Sequence, residues 1–354
     1  MNRLEGFLSA MASQGLTAAL VHRPENMRYL TGYTGEGCLF VSNDAQAILT
    51  DFRYVEQVSR QAPFVECIRT HAGKSLGTLV RELSERSHCN ALAVETDFLC
   101  YDECAALQNA LGNVQLLSLS ALPESLRICK DDGEIASICR AADIACRAFE
   151  ALLPKIHPGM TEREVAIALN YEMLYLGSEG EAFPTIACAG LNGSLPHAVP
   201  GEHRLEKGEL LTLDFGATCD GYRSDMTRTV GIGKVSNELR SVYQTVLDAQ
   251  LLALSAIRPG AVCEDIDAQA RDYIEARYPG AFGHALGHGV GLYIHEQPRL
   301  GKGDKTVLQP GHVVTVEPGI YISGLGGCRI EDMAILTSVG FMNPISAPKQ
   351  LIEL

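Results

Sequence analysis

The 354-residue sequence has no run of 18 apolar residues, no CxxC pair and no surplus of positive charge. The first absence leaves nothing that reads as a membrane-spanning helix. The opening Met1-Asn2-Arg3-Leu4-Glu5 also lacks the apolar stretch of a secretory signal, so the expected location is cytoplasmic. Twelve cysteines are present but stand singly between Cys38 and Cys328. That scatter fits no disulfide framework and reads as reduced thiols, mostly buried as small apolar residues. With 43 acidic against 29 basic residues the net charge is −14, which opposes any phosphate-neutralising surface. Neither nucleic acid nor membrane is expected as a partner, and cations are favoured.

What is present suffices for a sizeable core. Apolar residues make up 46% and charged residues 20% of a chain long enough for two domains. Leu4, Phe7, Leu8 and Met11 recur at helical spacing; 18–21, 38–41 and 47–49 read as strands, the last two joined through Asn43-Asp44. The pattern changes near Leu122-Pro123, and residues 134–153 carry a long helical stripe. The expected division is an accessory α/β domain over 1–125 and a second domain over 126–354. Within the second, a helix running into His157-Pro158-Gly159-Met160 is echoed 101 residues later by one running into Arg258-Pro259-Gly260-Ala261. Thr161 and Glu164 have the spacing of a capping box for the helix that follows the first turn. A two-copy domain of this kind places a cleft between its halves.

Two segments carry carboxylates where core residues belong. Residues 210–216 form an apolar strand that ends in Asp214, turn at Cys219-Asp220-Gly221, and return through Ser224-Asp225-Met226. Paired as a hairpin, Asp214 and Asp225 share a face, directly or diagonally opposite. The strand 313–317 ends in Glu317; after the glycine-rich loop 323–327 the return strand 328–336 carries Glu331, and pairing about Gly324 puts the two glutamates on one face. Like charges at that distance repel unless a cation lies between them, and an unpaired buried charge costs several kcal/mol. Between the hairpins, the segment 282–296 holds His284, His288 and His295, with glycines flanking His288. Four carboxylates and an imidazole suit two hard or borderline divalent ions, and no thiolates stand by for a structural zinc.

These residues resemble a known family. LTLDFG…CDGYRSDMTRT (211–229), FGHALGHGVGLYIHEQP (282–298) and TVEPGIY…CRIEDMAIL (315–336) are similar to the pita-bread metallopeptidases, specifically the Xaa-Pro dipeptidase (prolidase) and aminopeptidase P branch. Residues 26–33 and 50–54 resemble the small N-terminal domain of that branch. The resemblance implies an α/β fold (α+β in its layering): a creatinase/prolidase-type N-terminal domain, then a pseudo-two-fold pita-bread domain with a curved antiparallel sheet flanked by helices. It makes Asp214, Asp225, His288, Glu317 and Glu331 the ligands of two divalent ions, most readily Mn2+ or Co2+, with Zn2+ possible. It implies catalytic roles for His197, His295 and His284, has Arg329 supporting the metal glutamates, and leads to the expectation of a homodimer. The resemblance is looser at Cys188-Ala189-Gly190-Leu191-Asn192-Gly193, where a serine-glycine stretch is more usual.

The chemistry runs alongside. Peptide hydrolysis at neutral pH needs a nucleophile better than water, which a dinuclear site provides by acidifying a bridging water; Glu317 is placed to act as general base. A proline after the scissile bond leaves no N–H to bind, so an apolar pocket must select it. Arg299 is a candidate for the substrate carboxylate, and Arg329 belongs with it as a substrate-side arginine. The expected substrates are proline-containing dipeptides or short peptides. The alternatives on this fold are a methionine-type aminopeptidase, a metal-free amidinohydrolase and a non-enzymatic binding module; a complete ligand set disfavours the last two. Cys219 and Cys328, beside the ligand-bearing strands, raise the expectation of oxidation sensitivity.

Overall fold

A computed structural model describes residues 2–354. The chain divides into two compact units, the first ending at Arg127 and the second running from Ile128 to Leu354. Among the described residues no helix is long and apolar enough to cross a membrane.

The first unit is built on a six-stranded sheet in the order Glu66–Arg69, Gln46–Thr50, Cys38–Ser42, Ala18–Val21, Ala91–Val94, Gln115–Ser118. Its three central pairings mix antiparallel neighbours (Ala18–Val21 with Cys38–Ser42, Cys38–Ser42 with Gln46–Thr50) and a parallel one to Ala91–Val94. The four inner strands are mostly apolar and buried because both faces are covered, while the outer strands Glu66–Arg69 and Gln115–Ser118 are partly exposed. Ala19, Val21, Leu39, Val41 and Ile48 join one core with Phe7 and Met11 of helix Arg3–Ser13, while Ala18, Leu20, Phe40 and Leu49 join another with Leu79 and Leu83 of helix Leu76–Arg86. Alternation along each strand thus sorts side chains between two cores.

In the second unit the Pro-Gly echo is structural. Helix Asp132–Leu152 leads to a turn and helix Glu162–Tyr175; helix Asn237–Ala256 leads to a turn and helix Cys263–Glu275. Gly159 N donates to Leu205 O at 2.9 Å and Gly260 N to Leu308 O at 2.9 Å; Glu162 N reaches His203 O and Cys263 N reaches Thr306 O, each at 3.0 Å. The two glycines share a positive φ, 92° and 86°, which explains the residue type. Thr161 and Glu164 form the expected capping box. Each helix pair backs an antiparallel sheet. The first has three strands, Met226–Gly231, Leu210–Phe215 and Ile186–Ala189; the second has five, Glu296–Leu300, Gly287–Gly289, Val313–Val316, Asp332–Leu336 and Phe341–Met342. The halves are stitched where Glu331 N donates to Thr227 O (3.1 Å) and Thr229 Oγ1 to Arg329 O (2.9 Å). This seam brings the two carboxylate-bearing hairpins side by side.

Candidate metal centre

Each carboxylate sits at a strand end or just beyond it. The register Asp214↔Thr227 puts Asp225 diagonally across from Asp214 on the same face. In the second hairpin one register holds from Val313↔Ile335 and Val316↔Asp332 to Gly319↔Arg329, so Glu317 and Glu331 face each other about Gly324. His288 lies in the short strand Gly287–Gly289. Its flanking residues must be glycine, because a Cβ at 287 would strike the Thr315 carbonyl and one at 289 the Gln297 carbonyl.

Ligand atoms of Asp225, His288 and Glu331 all lie within 4.8 Å of one another. His288 Nε2 is 3.5 Å from Asp225 Oδ2 and 3.3 Å from Glu317 Oε1. All five residues that the resemblance nominates as ligands, together with His197, His284, His295, Arg299 and Arg329, line one cavity of about 630 Å³.

The electrostatics are those of crowded acids. Burial raises the Asp225 carboxyl well above its usual range, and the nearby Asp214 charge adds to that. Glu331 is likewise raised by burial and by Asp225, and Asp214 is raised by burial. Glu317 goes the other way: burial would raise it, but the hydrogen bond and charge of His288 hold it at about 2. His288, although disfavoured as a cation by burial, is drawn up to about 9 by Glu317 and Asp225. Asp214 Oδ1 and Glu331 Oε1 are buried and have no donor among the described residues. Orphaned carboxylate oxygens facing other carboxylates are what a bound cation would satisfy. The donor set, oxygens plus one imidazole, fits a hard or borderline divalent ion. The buried thiols of Cys188 and Cys328 are pushed up to about 12 by desolvation and stay protonated, which makes them poor ligands.

Arg329 is buried in the cavity wall. Its buried guanidinium does not bond the glutamates: Nη2 donates to Asp214 Oδ2 (2.5 Å), Nη1 to Tyr321 Oη (2.7 Å) and Pro196 O (3.2 Å), and Nε to Thr227 Oγ1 (3.1 Å). It reaches Glu331 only through that threonine, whose hydroxyl donates to Glu331 Oε2 at 2.7 Å. These bonds hold Arg329 against protein groups at the cavity wall.

His284 is held on both sides of its ring. The Ala285 carbonyl can only accept, so Nδ1 donates to it at 2.8 Å, and in the neutral ring Nε2 then accepts from the Tyr321 hydroxyl, 3.0 Å away. Burial lowers the basicity of His284, which lines the cavity wall. His295 and His197 are exposed to the cavity. The His295 ring stands edge-on to His288 at 4.4 Å between centroids, and burial together with the His288 charge lowers its pKa. Arg299 lies exposed at the same cavity.

Sequence reasoning missed Thr227, Tyr321 and an apolar wall that includes Phe183, Ile186, Val199 and Ile294. It also missed the pair beneath the site, where Arg228 Nη2 lies 2.8 Å from Asp332 Oδ1 with both side chains almost fully buried. Thr227 and Arg228 are neighbours, as are Glu331 and Asp332, so strand alternation aims one of each toward the carboxylate cluster and the other away. That period-two pattern was the available signal for the buried pair; nothing local flagged the wall.

Known proteins resemble this chain along its whole length. Residues 136–338 match the model of Metallopeptidase family M24, and residues 3–129 match the Creatinase/Prolidase N-terminal domain. The chain is 39% identical to the uncharacterized peptidase YqhT of Bacillus subtilis, over 99% of this chain and 100% of that protein. It superimposes on an Xaa-Pro dipeptidase from Bacillus anthracis with a TM-score of 0.96 and 41% identity, covering 99% of both chains. An X-Pro aminopeptidase from Thermotoga maritima follows at TM-score 0.90 and 31% identity, with 98% of this chain and 100% of that one covered. The chain belongs to metallopeptidase family M24. It is an enzyme of the pita-bread fold with a creatinase-type N-terminal domain, a hydrolase that works with divalent metal ions.

Proposed function

We propose that this enzyme is an exopeptidase that cleaves the Xaa-Pro bond of dipeptides and short peptides, using two divalent ions held by Asp214, Asp225, His288, Glu317 and Glu331. The observation that carries the reading is the convergence of those five residues with His197, His295 and Arg299 on one cavity. Manganese or cobalt is the preferred metal, given an oxygen-rich set with a single imidazole. Bound divalent ions acidify water and polarise a carbonyl.

The chain's own groups do the rest. Glu317, kept ionised beside His288, takes the proton from water and passes it to the leaving proline nitrogen. His197 and His295 donate to the substrate carbonyl as negative charge develops on it. The wall of Phe183, Ile186, Val199 and Ile294 receives the pyrrolidine ring by shape, since a tertiary amide offers no N–H. Arg299 pairs with the carboxylate of a dipeptide, so dipeptides are the favoured substrates. The unit from Ile128 onward carries the whole of this chemistry, and the unit before it is accessory. The reading includes a cytoplasmic homodimer; sedimentation of the purified protein tests the assembly.

The deciding measurement compares Xaa-Pro with Xaa-Pro-Xaa peptides under manganese. Release of the first residue from both with a preference for the dipeptide is expected, and Arg299→Ala should remove the preference. Asp225→Ala should abolish metal uptake and turnover together. Cleavage of Met-Ala peptides with Xaa-Pro bonds left intact would overturn the specificity.

A further inference from the structure

One further buried carboxylate, that of Glu162, lies outside the cavity and bonds none of the metal-site residues. Glu162, the first residue of helix Glu162–Tyr175, is fully buried. Its Oε1 accepts from Ala189 N (2.8 Å) and Asn192 Nδ2 (3.1 Å), and its Oε2 from Gly201 N (2.9 Å) and Asn192 Nδ2 (3.0 Å). One carboxylate thus ties the start of the loop 189–201, at Ala189 and Asn192, to its end at Gly201. The helix does not need Glu162 as a cap, because Thr161 and Glu164 already form the capping box.

The loop it ties is the one that carries His197. Leu195 and Val199 are 58% and 83% exposed, so little apolar burial of its own holds the loop in shape. Its other anchor near the histidine is the Pro196 carbonyl, which accepts from Arg329 Nη1. The internal duplication supplies a control. The position equivalent to Glu162 is Cys263, which makes the same backbone bond at the same place and is also fully buried. The fold therefore accepts a small apolar residue there, and the carboxylate occurs only in the half whose following loop presents His197.

We propose that Glu162 is a positioning residue for His197: it fixes the loop 189–201 so that the imidazole meets the substrate carbonyl in a single orientation. The proposal rests on the reading of His197 as a substrate-facing donor. It acts through the two backbone N–H groups and the Asn192 amide, which only an acceptor on both oxygens can satisfy at once. Glu162→Gln keeps the shape but turns one oxygen into an NH2 that faces donors, releasing one end of the loop.

The test uses manganese-loaded full-length enzyme. In Glu162→Gln, backbone amide exchange over 186–203 should accelerate with metal content unchanged, and kcat/KM on an Xaa-Pro dipeptide should fall by about tenfold or more. In a His197→Ala background the same change should cost less than about twofold, since the group it positions is gone. An equal loss in both backgrounds, or unaltered exchange at Ala189 and Gly201, overturns the proposal. If Glu162→Gln does not accumulate as folded protein, Asn192→Ala, which removes the central donor only, takes its place with the same outcomes. Should the wild-type enzyme leave Xaa-Pro bonds uncut, the substrate reading fails while the exchange measurement still decides whether Glu162 holds the loop.

Discussion

Lys130 and Glu296 form a deeply buried ion pair next to His295. Their charged atoms are 2.8 Å apart at 1% and 6% exposure, and Glu296 Oε1 also accepts from Tyr293 N, closing the turn that leads into His295. Lys130→Met would leave that carboxylate buried without its cation. A loss of about 3–5 kcal/mol in urea unfolding is expected, and a loss below about 1 kcal/mol would show that the pair is exchangeable for apolar packing. At this scale the sequence disclosed the carboxylates of the centre because acids ending apolar strands are out of place. It disclosed neither Lys130 nor Glu162, whose partners are 166 and up to 39 residues away and leave no local trace.

At the scale of the element, the hairpins work because glycines let strands close tightly. Gly216, between Asp214 and the turn, stands where a Cβ would collide with the Ser224 carbonyl. Gly216→Ala should push the return strand outward and shift Asp225 from Asp214. We expect metal affinity, followed by titration calorimetry, to weaken by about tenfold or more, because ligand placement tolerates only a few tenths of an ångström. The return strand also corrects the expectation about thiols. Cys328 points into the core with Ile320, Ile330 and Val316, fully buried and with its thiol held protonated. Peroxide should leave Cys328 unmodified in the folded enzyme, as peptide mass mapping would show. Helix caps, Pro-Gly turns and the register about Gly324 were all legible, since each depends on residues close in sequence.

Across the whole molecule, two histidines, His312 buried and His22 half-buried, set a response to acid. His312 is lowered to about 4 by burial and then by the Lys130 charge, and His22 to about 4 by burial. The His312 Nδ1 accepts from Gln309 N, an arrangement only the neutral ring permits. Unfolded, both would titrate near 6.5, so below that value the unfolded chain binds more protons than the folded one. Their stabilisation is complete above about pH 6.5 and drains away as pH falls toward 4, by at most ~3 kcal/mol each. Thermal unfolding between pH 7.5 and 5 should show the decline, and His312→Gln should flatten it.

The sequence by itself determined that this is a metal-handling α/β chain with a duplicated second half. Apolar periodicity, a repeated Pro-Gly turn and acids in place of core residues are local properties, and hydrophobic burial and charge repulsion read them without further context. Only the tertiary structure decided how the polar groups around the cavity pair with one another. Arg329 bonds Asp214, His284 meets the Tyr321 hydroxyl, and the apolar wall was gathered from segments more than 100 residues apart. Those outcomes follow from the packing of two half-domains along one seam, where side chains distant in sequence compete for the same few donors and acceptors.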